Sequence, residues 1–339
     1  MTFIFLILIL LQISNIFLLE RFIKIANQKH LYAIGDKNNL HHGLIPRGAG
    51  VVFGTIYILS ISLGFLENYI SIEFWLLLLY GSASCLILGF IDDIYDLKIS
   101  TKLFFQFLII TPLSFYFIYK LNFDYLLINK FFLAMILILF LVWTLNAFNF
   151  FDGADGHLIS VSCMQCFLLL VIQFINENYD LFPAVFLLMT VLLGFLKFNW
   201  SPARVFMGDA GSLFIGINLI TFTLILIKTS ILDFWLILIV FSYFFVDTLG
   251  TLISRFFLKK KWYMKHTSHS YQNFSKIYSH SKMSIFVIIY HLVWLFPLIV
   301  LASYNKDYAM FLSLISLIPS MIFLINYGPF NSSLQKRKL

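Results

Sequence analysis

Long runs of apolar residues recur along the whole chain, each broken by a short polar stretch. Such runs occupy 2–19, 49–66, 74–91, 103–120, 131–149, 158–175, 182–198, 211–228, 234–254, 284–303 and 309–326. Each is close to the roughly 20 apolar residues that a helix needs to cross the hydrocarbon core. Polarity does not alternate within them, which excludes a membrane β-barrel. Open strands would leave backbone groups unpaired in lipid. The pattern therefore predicts an all-α, polytopic integral membrane protein of about eleven transmembrane helices. No repeat or soluble segment interrupts it, so 1–339 reads as one domain. The first run lacks a basic leader and a small-residue cleavage site, and is expected to remain as a span.

Composition agrees with the pattern. Only 12% of the 339 residues are charged and 61% are hydrophobic, whereas soluble domains carry roughly 25% charge. A soluble enzyme, a disordered chain and a secreted disulfide scaffold are all excluded. Cys85, Cys163 and Cys166 lie inside apolar runs, where they read as small packing residues. The sequence pI is about 9.1, but the cations sit in loops between spans, so a membrane surface explains them and nucleic acid does not. Assigning alternate loops to two sides puts 19 of the 23 Lys and Arg on one side. By the positive-inside rule that side is cytoplasmic. The N-terminus is then outside and the C-terminus cytoplasmic.

Every polar motif falls on that cationic side. Asp92-Asp93-Ile94-Tyr95-Asp96 closes the third span, followed by Lys98, Lys102 and Gln106. Adjacent carboxylates at a membrane boundary repel one another and resist dehydration, which points to a cation or a proton-transfer role. The fifth span ends in Asn146, Asn149, Asp152-Gly153 and Asp155-Gly156. The two Asn residues share a helix face, and the Asp-Gly pairs suit a turn that meets a ligand closely. Asn199 to Ser212 carries Arg204, Phe206 and Asp209. A helix starting at Gly211-Ser212 would aim free N–H groups at an anion; alternatively Asp209 or Ser212 caps that helix. Phe206 either stacks on a base or anchors at the interface. The loop over 255–283 holds Arg255, Lys259 to Lys261, Lys265 and His266-Thr267-Ser268-His269-Ser270-Tyr271-Gln272. His266 and His269 suit phosphate better than zinc, since no third His or Cys is near in sequence. The first loop has His41-His42 and then Pro46-Arg47-Gly48, a turn able to present Arg47 to phosphate. Asp247, inside the ninth span, needs a partner, for which Arg255 is the candidate.

These motifs together resemble the polyprenyl-phosphate N-acetylhexosamine-1-phosphate transferases (glycosyltransferase family 4), in family order and over nearly the whole chain. The His-Thr-Ser-His-Ser-Tyr-Gln segment is similar to the O-antigen-initiating branch, and the adjacent histidines of the muramoyl-pentapeptide branch are absent. His157 and Ala49 depart from the residues usual at their positions. The resemblance implies that polyprenyl phosphate attacks the β-phosphorus of a UDP-N-acetyl sugar, releasing UMP and starting a surface polysaccharide such as lipopolysaccharide O-antigen. It implies Mg²⁺, or Mn²⁺ in its place, with Asp209 as metal ligand. Asp92 and Asp93 would place the metal or orient and deprotonate the lipid phosphate. Asn149, Asp152, Asp155, Asn199 and Phe206 would hold the nucleotide sugar. Arg47, His266 and His269 would meet phosphate charge. The site would face the cytoplasm from the plasma (bacterial inner) membrane, and the family suggests a homodimer. Two other readings are open. An intramembrane prenyltransferase would use Asp92-Asp93 but wants a second Asp-rich cluster, which Asp152 to Gly156 matches poorly. A transporter would place its polar groups at midspan, whereas here they collect at span ends.

Overall fold

The computed structural model describes residues 2–28 (side chains from 11), 45–120, 129–260 and 266–331. His41, His42, Lys261 and Lys265 lie outside these residues. The elements run α1 (Thr2–Gln28), α2 (Gly50–Leu66), α3 (Ile72–Tyr95), α4 (Ile99–Lys120), α5 (Lys130–Phe150), α6 (His157–Ile175), α7 (Phe182–Asn199) and α8 (Gly208–Lys228). They continue with α9 (Phe234–Val240), α10 (Ser242–Phe257), α11 (Ser270–Ile277) and α12 (His280–Tyr290). A π-helical turn (His291–Leu295) leads into α13 (Phe296–Tyr304), followed by α14 (Ala309–Tyr327).

The protein is an all-α integral membrane protein. All eleven expected segments are helical, but the number of spans among the described residues is smaller. Eight helical stretches are long and apolar enough to cross a membrane, or nine if one bent pair counts as a span. Two physical features account for part of the difference. Helix α2 has only 17 residues, and the segment expected at 234–254 bends by 80° between α9 and α10. The three cysteines are buried and unpaired.

Helix α8 is the hub. It is buried along nearly its whole length and packs against α2, α3 and α5. Its first turn, Gly208-Asp209-Ala210-Gly211-Ser212, is small enough to let neighbouring backbones close in. Gly50 of α2 and Gly89 of α3 do so from two directions: a Cβ on either would overlap the backbone of Ala210. Helices α3 and α8 run antiparallel and are tied at both ends. Lys228, in the last turn of α8, pairs with Glu73 in the first turn of α3 and donates to the Tyr116 hydroxyl at 3.2 Å. Each charge lies at the helix end where it complements the backbone dipole.

Candidate active site

The other tie between α3 and α8 builds the site. Gly208 opens α8 at φ +73°, a left-handed conformation that glycine adopts without strain. The residue before it, Met207, offers no side-chain cap. The cap comes from Asp93 of α3, whose two oxygens accept the N–H groups of Asp209 (2.9 Å) and Ala210 (3.1 Å). The helix therefore starts three residues earlier than the sequence predicts, and an internal carboxylate already occupies its first N–H groups. Neither Asp209 nor Ser212 supplies the cap.

The Asp209 side chain is thereby free to face polar partners from distant parts of the chain. Arg47, ahead of α2, pairs with one of its oxygens and also places Nε 3.0 Å from Asp93. Lys102 of α4 pairs with the other oxygen, which also accepts from Asn149 Nδ2 of α5 at 2.7 Å. Lys102 bonds Asp92 as well, at 2.8 Å, while the second Asp92 oxygen accepts the Leu97 N–H at 2.9 Å. That last bond closes the reversal at Asp96, where φ is +49°, and the reversal carries Lys102 back to the aspartates. The Pro46-Arg47-Gly48 turn is held by backbone bonds: Phe206 N–H donates to Pro46, and Gly48 and Ala49 donate to Phe206. Arg47, Asp92, Asp93, Asn149 and Asp209 thus meet at one end of the bundle. Lys102 joins them, although the sequence reading gave it no role.

Burial alone would favour an uncharged Arg47, but Asp209 and then Asp93, Asp152 and Asp92 outweigh it, so its pKa rises and it stays charged. Asp152, in the loop after α5, is pushed well above the usual carboxylate range. Burial is the main cause, opposed by Arg47 and reinforced by Asp209, Asp93 and Asp155.

Among the described residues, no group of three or more His, Cys, Asp or Glu is disposed to hold a metal ion. Mg²⁺ asks for less: one or two carboxylates, with substrate phosphates and water completing its shell. Asp92 and Asp209 already converge on a single cation, the Lys102 ammonium. This pair of hard oxygen donors fits Mg²⁺.

Two other predicted residues hold the loops around this cluster. Asn199 accepts from Gly156 N–H (3.0 Å) and donates to the Val205 carbonyl (2.9 Å). Asp155 accepts from Ala203 N–H at 3.1 Å and lies 3.4 Å from His280 Nδ1. Both stitch the 152–156 loop to the 199–206 loop.

The histidine motif forms an adjoining layer. His269 Nδ1 lies 2.9 Å from Asp247 Oδ2, and the other Asp247 oxygen accepts from both the backbone N–H and the hydroxyl of Ser270. Asp247 is thus paired with His269, and the expected Arg255 instead donates to Ser268 at 3.1 Å. His266 contacts the same serine at 3.2 Å and stacks 5.0 Å from the His269 ring. Burial pushes its pKa down to about 3, helped by His269 and Arg255, so its ring is neutral here. Tyr271 links this layer to the acidic cluster by donating to the Phe150 carbonyl at 2.7 Å. Its ring stacks on His157, centroid to centroid at 4.3 Å and 9°. His157 is therefore an aromatic packing residue of the layer.

Comparison with known proteins points to a family. The model for glycosyl transferase family 4 matches residues 75–227, the segment that contains Asp92 to Asp209. A phospho-N-acetylmuramoyl-pentapeptide-transferase of Listeria monocytogenes serotype 4b is 30% identical over 63% of this chain and 69% of its own. One from Chlamydia caviae is 42% identical over 26% of this chain and 27% of its own. These names overturn the expected O-antigen branch and its simple sugar donor. That expectation rested on the segment from His266 to Gln272. Its polar groups are engaged within the protein: Ser268 with Arg255, His269 and Ser270 with Asp247, and Gln272 with the His269 N–H. These bonds show how the motif builds the loop.

Proposed function

The chain belongs to glycosyl transferase family 4, the polyprenyl-phosphate N-acetylhexosamine-1-phosphate transferase superfamily, and on that premise we propose that it moves a phosphosugar from a UDP-linked donor to polyprenyl phosphate. The relatives' names favour phospho-N-acetylmuramoyl-pentapeptide as the group moved. One observation carries the reading: Asp209, at the start of a buried helix, is held by Arg47, Lys102 and Asn149 from three other segments. This is a charged, positioned site with no Ser or Cys nucleophile among its members, which suits phosphoryl transfer by positioning and charge neutralisation.

In this reading an oxygen of the lipid phosphate forms a bond to the β-phosphorus of the donor. The bond to the bridging oxygen breaks, and its electron pair leaves with UMP. The lipid phosphate is largely ionised at neutral pH, its second pKa being about 6, so it needs placing more than deprotonating. Arg47 and Lys102, now spread over three aspartates, are the cations available to draw two phosphorylated substrates together. Asp209 and Asp92 would hold Mg²⁺, which when bound supplies charge neutralisation across the pyrophosphate. Asp93 keeps Asp209 in place. Asp152, shifted toward its protonated form, suits a hydrogen bond to donor sugar or base without adding charge against the phosphates. Phe206 borders the Arg47 turn, where it would pack on the nucleotide. The excess of Lys and Arg in the loops on this side favours the cytoplasmic face.

The test is UMP release by purified protein given polyprenyl phosphate, Mg²⁺ and either UDP-N-acetylmuramoyl-pentapeptide or UDP-N-acetylglucosamine. Release with the first donor supports the full reading. Release with the second alone overturns the donor, and none with either overturns the transferase assignment.

A further inference from the structure

We infer that Asp247 is a positioning residue, which orients the His269 ring and stabilises the imidazolium whose Nε2–H serves the departing phosphate; the inference rests on the transferase reading above. Asp247 is 2% exposed and sits in α10, half of a bent apolar pair. A carboxylate there is costly and calls for a specific use. Its contacts converge on two successive residues: the His269 ring on one oxygen, and the N–H and hydroxyl of Ser270 on the other. The buried charge is thus spent on the start of α11.

An ionised carboxylate only accepts hydrogen bonds. The hydrogen of a neutral His269 ring must therefore sit on Nδ1, leaving the lone pair on Nε2. When Nε2 takes a proton, the same carboxylate stabilises the imidazolium. The ring has little freedom to turn. Its backbone N–H donates to Gln272 Oε1 at 3.2 Å, His266 stacks on it, and Tyr271 lies 5.7 Å away, centroid to centroid. Through its bond to Phe150, Tyr271 sets this arrangement beside the loop that carries Asp152. With Nδ1–H held by Asp247, Nε2 takes a proton from water before the step, and the imidazolium Nε2–H then donates a charge-assisted hydrogen bond to UMP that strengthens as charge builds on that phosphate. That proton stays on Nε2 while the phosphorus–oxygen bonds form and break, so the transfer balances without it.

Asp247→Asn removes the negative charge that stabilises the imidazolium, leaving the ring neutral with its hydrogen-bonding pattern at Nδ1 altered. We expect kcat to fall about 100-fold or more, with donor KM changed less than about threefold. In a His269→Gln background, Asp247→Asn should cost less than about threefold more, because its effect passes through the ring. A full, additive loss in that background overturns the inference and makes Asp247 a support of the fold. Histidine nitrogen chemical shifts of the wild-type protein, with His269→Gln to assign the signal, give a readout that needs no turnover. A protonated Nδ1 supports the pairing and an unprotonated one overturns it, even if the wild type transfers no phosphosugar.

Discussion

At the scale of single residues, charge is economised by sharing. Arg47 serves Asp93 and Asp209, and Lys102 serves Asp92 and Asp209. Asp209 stands at the crossing of both pairs. Asp209→Asn is therefore expected to lower UMP release by about 100- to 1,000-fold or more, while membrane fractionation finds the protein still inserted. Near-normal turnover of that variant would remove Asp209 from the site. His266 makes a separate prediction about pH. Its folded pKa is about 3 against 6.5 for an unperturbed ring. Between those values the unfolded chain binds a proton that the folded chain does not, so His266 costs stability as pH falls below about 6.5. Denaturation midpoints of wild type and His266→Gln, compared at pH 7 and pH 5, should diverge, with the variant losing less at the lower pH. Residue chemistry was partly legible in the sequence, since aspartates and an arginine at span ends are conspicuous where charge is scarce. The partner of Asp247 was not. Spacing along one helix nominated Arg255, and only the packing of α11 against α10 brings His269 to it.

At the scale of elements, the site depends on how closely helices approach. Apolar runs located every long helix, because they report burial in lipid or in neighbours alike, but α11 (Ser270–Ile277) lies in the stretch read as a loop. The runs could not say which helix ends meet. Asp93 caps α8 across 116 residues of sequence, and nothing local to Gly208 announces a cap supplied by another helix. The small residues of the first turn of α8 were visible but read as a helix start facing an anion, when they are the contact surface for α2 and α3. Gly89→Ala tests that contact. Its Cβ would overlap backbone atoms of Asp209 and Ala210, and backbone cannot step aside as a flexible side chain can. Overpacking of this kind typically costs about 1–3 kcal/mol. The variant should melt earlier in detergent, and its kcat should fall because Asp209 is carried on the displaced turn. An unchanged melting curve with full activity would mean that the helices separate without cost.

At the scale of the whole molecule, one end of the bundle is chemically dense and the other plain. The resemblance of motif order extended over nearly the whole chain, yet the number of spans among the described residues came out smaller, in part because hydropathy cannot distinguish a straight span from the 80° bend at Phe241. The pairing of α3 with α8 has a consequence for the lipid around it. Helix α8 carries Asp209 in its first turn and Lys228 in its last. Its 21 residues rise about 1.5 Å each, roughly 30 Å in all, which matches the hydrocarbon thickness of a typical bilayer. With both ends clamped to α3, the helix has little scope to tilt independently when the bilayer thins or thickens. It acts as a fixed gauge, and the lipid must deform to fit it. Turnover on a membrane-borne phosphate should therefore peak in vesicles whose chains match that length. It should fall in shorter- and longer-chain phosphatidylcholines as the headgroup plane leaves the level of Asp209.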